Sequence, residues 1–310
     1  MEAEISEQLT RLPEVAPGYL TQADDAVANR PVEMILLAAR GSSDNAALYA
    51  RYLIEVHLKR PVVLAAPSVL TRFQARVQYP PTLAIGISQS GEAPDVSEMI
   101  AEMRDQGHCT LAITNTPGRR LSSAAEFTLD LGVGVEHSIA ATKTYTATLV
   151  ALYQTVRALG AALPEPTLPG TAWSKRCRTA AAEEDFGWIV RSQPVFALGR
   201  GYRFASAHEA ALKLMECALV PCKAYSSADF EHGPKALAGP GSAVVSFDGW
   251  KENLADLGAT ILPVPQTDAP DECIPFFDAV YLQHLALEVA RARGLDPDQA
   301  RFLSKVTQTR

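Results

Sequence analysis

Cysteine, aromatic side chains, long apolar runs and blocks of basic residues are all scarce in this sequence. Five cysteines stand at positions 109, 177, 217, 222 and 273 of 310. Their number is odd and no CxxC pair occurs, which argues against a disulfide framework. His and Cys do not recur at ligand spacing, so no metal site is expected, and the thiols read as buried groups of a reduced compartment. No apolar run approaches the ~20 residues that span a bilayer. The N-terminal stretch MEAEISEQLTRLPEV is acidic early and lacks an apolar core, so it reads as neither signal nor transit peptide. A cytoplasmic protein is expected. The formal net charge is −7, from 28 Lys and Arg against 35 Asp and Glu. With no basic block, that balance argues against nucleic acid or an anionic membrane as partner. It leaves room for a small anion, which hydroxyls, backbone N–H groups and helix N-termini can hold whatever the net charge.

What is present is a globular composition, 47% hydrophobic and 20% charged, over a length that suits two domains. An opening helix is predicted to end near Pro13. Short apolar runs at 33–40, 62–66, 83–88 and 110–114 read as strands, and helix-like stretches at 44–58, 68–77 and 93–106 separate them. This alternation predicts an α/β fold, a parallel sheet covered by helices on both faces in three αβα layers. The grammar then repeats. Residues 196–216 resemble 36–55, each an apolar strand, an Arg-Gly turn and an alanine-rich helix. Gly41 and Gly201, Val62 and Cys222, and Ile85 and Val245 all lie 160 positions apart. A constant offset over three elements predicts an internal duplication. The stretch 159–170, with three prolines and two glycines, reads as the linker. The expected domains are 1–165 and 170–310, the second entered through a helical stretch at 171–192.

Ser88-Gln89-Ser90-Gly91-Glu92 directly follows the third strand. Hydroxyls and N–H groups at a strand-to-helix turn suit a phosphate, and Gly91 lets the backbone approach; the same composition also makes a serine-rich helix cap. Arg40-Gly41-Ser42-Ser43-Asp44-Asn45 follows the first strand in the same way, as a neighbouring wall or an ordinary turn. Ser138, Thr142 and Lys143 lie near a helix start after a Gly-rich loop and read as a third anion contact or a plain capped helix. Glu209, Lys213 and Glu216 share one helix face. Such triplets are usually solvated ion pairs, but the neighbours here are almost all apolar or small, which leaves less room for a solvated face and adds weight to a buried, functional carboxylate. His232 before Gly233-Pro234 sits on a tight turn, where an imidazole can shuttle protons. Lys305 lies in a polar tail that either frays or folds back over a site.

Together these motifs resemble the isomerase half of glucosamine-6-phosphate synthase and its shorter relatives, the SIS-domain family. The resemblance runs from EISEQ (4–8) to LSKVT (303–307). It takes in Arg40 to Ser43, Ser88 to Glu92, Glu136 to Thr146, Leu198 to Gly201, Glu209 to Glu216, Glu231 to Pro234 and Asp298 to Lys305. It implies two tandem SIS domains. Ser42, Ser43, Ser88, Gln89, Ser90 and Thr142 would hold phosphate and sugar hydroxyls, with Ile139 and Ser304 also at the substrate. Glu216 would move a proton between C1 and C2, with Glu209 and Lys213 in support. His232 would assist ring opening from the partner subunit of a homodimer, and Lys305 would contact the open-chain sugar and form an imine with its carbonyl. No metal or organic cofactor is implied.

Three departures from the family pattern stand out. Ala93 stands where a Thr usually follows the SQSGE motif, His137-Ser138 replace an apolar residue and a Gly, and Ala300 replaces a proline. The expectation is that no glutaminase domain is present. The reaction expected is therefore glucosamine 6-phosphate to fructose 6-phosphate plus ammonia. A fructosamine-6-phosphate deglycase is the rival enzyme. A non-catalytic sugar-phosphate sensor is the rival from another class; it would need the phosphate turns but not Glu216, His232 and Lys305.

Overall fold

The computed structural model describes residues 1–28, 30–182, 186–249, 254–299 and Lys305. Ala300 and Ser304 lie outside the described residues. Packing divides the chain into two compact units that interleave along the sequence. The first unit takes 11–136, 143–166 and Lys305; the second takes 1–10, 137–142 and 167–299.

The chain opens with α1 (Glu2–Val27), which contains Pro13 and Pro17. The helix therefore runs well past the end expected near Pro13. A proline inside a helix costs about 3 kcal/mol through its missing N–H and its ring clash. The helix continues because its apolar stripe continues: Ile5, Leu12, Ala16, Tyr19, Ala23 and Ala26 recur at helical spacing and are all buried. The Tyr19 hydroxyl donates to the Leu131 carbonyl, and burial, then the nearby Asp130, pushes this phenol above its ordinary pKa.

The first sheet is built by β1 (Met34–Ala38), β2 (Val62–Leu64), β3 (Thr82–Ile87), β4 (Cys109–Thr114) and β5 (Phe127–Asp130), all parallel in the order β2-β1-β3-β4-β5. The connecting helices are α2 (Ser42–His57), α3 (Ser68–Thr71), α4 (Pro94–Asp105) and α5 (Arg120–Ala124), with α6 (Lys143–Ala158) after the last strand. Central strands are buried along their whole length, as a sheet covered on both faces requires. Leu36, Ala38, Ala84 and Ala112 pack with Val96, Met99, Ile100 and Leu121 under α4 and α5. Ile35, Leu37, Leu83 and Ile85 alternate to the opposite face and are equally buried. The helix expected over 68–77 is only the single turn α3, and 72–81 is irregular. Gln74 there has a positive φ of 52°, a conformation helices do not use.

The second unit opens with α7 (Thr171–Ala182) and α8 (Gly187–Arg191). Its sheet has β6 (Val195–Gly199), β7 (Cys222–Ser226), β8 (Ala243–Ser246) and β9 (Thr260–Pro263), parallel in the order β7-β6-β8-β9. Helices α9 (Arg203–Ala218), α10 (Ser227–Glu231) and α11 (Ile274–Ala292) complete it. The α/β class with helix-flanked parallel sheets is as the sequence predicts. The repeat extends to register. Ile35 pairs with Val62 and Leu37 with Ile85; Val195 pairs with Cys222 and Ala197 with Val245, each residue 160 positions further on. At the fourth strand the correspondence slips: Leu83 pairs with Cys109, whereas Ala243 pairs with Thr260. Within this unit His284 of α11 is buried against the Ser174 hydroxyl at 3.0 Å, and burial pulls its pKa down to about 4. All five cysteines are buried free thiols. Among the described residues no helix is long and apolar enough to cross a membrane.

Candidate active site

In an open parallel sheet the ligand edge is where the strands end and their order reverses, which here lies between β1 and β3. The turn after β3 carries Ser88 to Glu92. Ser88 is buried; its N–H donates to the Ile113 carbonyl and its own carbonyl accepts from Gly91 N–H, 3.1 Å each. Ser88 therefore fixes the turn's start, while Gln89 and Ser90 line a cavity of ≈ 710 Å³. That volume lies within the roughly 300–1,000 Å³ of small-molecule sites. The Gln89 carbonyl accepts from the hydroxyls of Thr114 and Thr116 at 3.3 Å each and from Asn115 N–H at 3.2 Å, so the loop after β4 holds the turn in place. Gly91 has φ +67°, and a Cβ there would lie 2.9 Å from Arg119 Cβ and 3.2 Å from the Thr116 carbonyl oxygen. Only glycine allows this close approach. Ala93 is the N-cap of α4 and supplies no side-chain cap.

Ser42 and Ser43 open α2 at the end of the neighbouring strand β1, with Gly41 at φ 56° before them. They are not among the residues lining the cavity. The two turns are tied together by Arg40, whose guanidinium meets the buried Asp95 of α4 at 2.6 Å. Asp95 also sits in the first turn of its helix, where the dipole favours a carboxylate.

The cavity's other wall holds a residue for which the sequence motifs alone imply no role. Glu136, buried at the end of the Gly-rich loop, accepts from the Thr144 N–H at 3.1 Å and hydroxyl at 2.7 Å. It receives the Lys305 ammonium at 2.9 Å. Lys305 thus lines the same cavity as Gln89 and Ser90. Asn115, Thr116 and Arg119 line it too. Their position just past the apolar run of β4 is the signal that would have found them.

The other expected site residues belong to the second unit. Thr142 is buried; its hydroxyl donates to Glu4 at 3.3 Å and its carbonyl accepts from Gln283 at 3.0 Å. Ile139 is half-buried in the same short segment. On α9, Lys213 is fully enclosed, with Glu209 Oε1 and Glu216 Oε2 each 3.0 Å from its Nζ. Burial alone would pull this ammonium below the ordinary lysine pKa, but the two carboxylates outweigh it and hold it above. Glu216 is the member that reaches solvent, with 26% of its side chain exposed against none of Glu209. A carboxylate fixed by a buried ammonium at one oxygen and open on one side is placed to exchange a proton with a ligand. His232 is exposed directly after α10, ahead of Gly233 at φ 150°. Among the described residues no cluster of three or more His, Cys, Asp or Glu offers a metal site.

Residues 30–158, which hold the serine turn, its cavity wall and Glu136, match the SIS domain family. That stretch is a SIS domain. The isomerizing glutamine–fructose-6-phosphate aminotransferase of Methanothermobacter thermautotrophicus is 32% identical over 88% of the chain and 51% of its own length. The same enzyme of Pyrobaculum aerophilum is 31% identical over 97% of the chain and 56% of its length. The SIS-domain chain thus spans about half the length of the curated relatives it matches. Two solved structures share its fold at 22% identity. Glucosamine-6-phosphate deaminase from Thermotoga maritima aligns with a TM-score of 0.77 over 98% of this chain and all of its own. The C-terminal domain of the Francisella tularensis aminotransferase aligns with a TM-score of 0.75, covering 94% and 97%.

Proposed function

We propose that this SIS-domain chain is a cytoplasmic amino-sugar-phosphate deaminase and isomerase, converting glucosamine 6-phosphate to fructose 6-phosphate and ammonia. We read the second sheet and its helices as a second SIS domain. The observation that carries the reading is the cavity of the first unit, in which a lysine amine shares one wall system with a serine-rich anion turn. A sensor needs the turn; it does not need an amine beside it.

In this reading Ser42, Ser43, Ser88, Gln89, Ser90 and Thr142 serve the phosphate and hydroxyls, with Ile139 and Ser304 at the sugar. His232, contributed by a second copy of the chain, helps open the ring. Glu216 takes the proton from C2 of the open-chain aldehyde, giving an enolamine, and returns it to C1, leaving a C2 imine. The Lys305 amine adds to C2 and expels ammonia, forming its own imine. Water then cleaves that imine to the ketone and restores the amine. One base serves both carbons, as an aldose–ketose shift requires, and the lysine gives covalent catalysis at the carbonyl.

The test is ammonia release from a panel of phosphorylated amino sugars, with Glu216→Gln as the inactive control. Release from glucosamine 6-phosphate that Glu216→Gln abolishes is the expected result. Tight binding of hexose 6-phosphates without any release would make the chain a sensor instead. Release of an amino acid from a fructosamine 6-phosphate, with none from glucosamine 6-phosphate, would make it a deglycase.

A further inference from the structure

Glu136 is a buried carboxylate that the reaction proposed above does not use. Taking such a group out of water is costly unless its oxygens are met. Here they are met from two directions. Thr144, in the first turn of α6, donates its N–H and its hydroxyl at 3.1 and 2.7 Å. Lys305 donates its ammonium at 2.9 Å. The helix holds the carboxylate, and the carboxylate holds the lysine. The side chain of Glu136 is fully enclosed, whereas 26% of the Lys305 side chain is exposed. The fixed end of the pair is therefore the glutamate, and the end that faces the cavity is the amine. A lysine carries about 2 kcal/mol of rotamer entropy, so an unanchored Lys305 would seldom point one way.

We propose that Glu136 is the positioning residue for Lys305: itself held by Thr144, it anchors the amine at one point of the cavity wall until a sugar carbonyl arrives. The anchoring stands on the contacts above. Its catalytic consequence rests on the reading of Lys305 as the imine-forming amine.

Two experiments separate these layers, both on the full chain. The first needs no turnover. Wild type, Glu136→Gln, Glu136→Asp and Thr144→Val are treated briefly with sulfo-NHS acetate, and acetylation of Lys305 is read by peptide mass against Lys59 in the same digest. Lys305 is expected to react about 3–10-fold faster in Glu136→Gln, since an amine held in an ion pair must break that contact before it can attack the ester. Thr144→Val should give a smaller increase and Glu136→Asp partial recovery. An unchanged Lys305-to-Lys59 ratio in Glu136→Gln overturns the anchoring.

The second is a double-mutant cycle on ammonia release. Glu136→Gln is expected to lower kcat about 10–100-fold with KM within about 2-fold. In a Lys305→Ala background the same change should cost nothing further, because the residue acts through the lysine. Equal losses in both backgrounds overturn the positioning role. Wild type that releases no ammonia while the labelling ratio shifts as expected leaves the anchoring in place and removes the reaction. Wild type that turns over while Glu136→Gln is silent in both assays does the reverse.

Discussion

Glu216 and Lys213 stand three residues apart on α9, and their roles separate on substitution. Glu216→Gln keeps the length and a hydrogen-bonding oxygen but loses the base. Ammonia release should fall about 10²–10⁴-fold while binding of fructose 6-phosphate, followed by calorimetry, stays within a few-fold. Lys213→Met removes the cation that neutralises the fully buried Glu209. Breaking a buried pair from one side costs about 3–5 kcal/mol, and a matching drop in the urea midpoint is expected whether or not the chain turns over. His284 gives a pH dependence whose sign is fixed. Its folded pKa of about 4 lies below the ordinary 6.5, so the unfolded chain binds the extra proton between those values. Stability is therefore intact above pH 6.5 and declines as pH falls toward 4, by up to about 3 kcal/mol. His284→Gln, which can still meet Ser174, should flatten that slope in denaturation curves taken across the window.

At the scale of elements, strands were legible because a doubly covered sheet writes itself as short apolar runs, and 83–88 and 110–114 match β3 and β4 to within a residue or so. The serine turn was legible because it is local. Glu136 with Lys305 was not, since 169 positions separate the two and nothing in either neighbourhood marks the pairing. Thr142 with Glu4 fails for the same reason, at a separation of 138. Pro13 misled because propensity is local and burial is not: the cost of one proline is outweighed by a stripe that runs on to Ala26. Pro13→Ala should accordingly lengthen the hydrogen-bond ladder of α1 and raise stability by about 1–3 kcal/mol, visible as a higher urea midpoint. Ala93 leaves the N-cap of α4 without a hydroxyl. Ala93→Thr should add about 1 kcal/mol of stability and tighten the binding of 6-phosphorylated sugars relative to their unphosphorylated forms.

For the whole molecule, a ligand that binds only the folded chain stabilises it by mass action, about 2.7 kcal/mol at a hundredfold excess over Kd. Glucosamine 6-phosphate should raise Tm by about 2–4 °C and glucosamine should not; equal effects of the two would remove the phosphate from the recognition scheme. The registers of the two sheets bear on how labour is divided between the units. They agree pair for pair through three strands, and the fourth pairing comes nine residues early in the second sheet. The shortened stretch is the one that in the first sheet holds the serine turn and α4, and Asp248 stands 160 positions after Ser88. In the proposed scheme a phosphate would meet the Asp248 carboxyl there instead of a serine, so the scheme assigns anion binding to the first sheet and leaves proton transfer to α9 of the second unit.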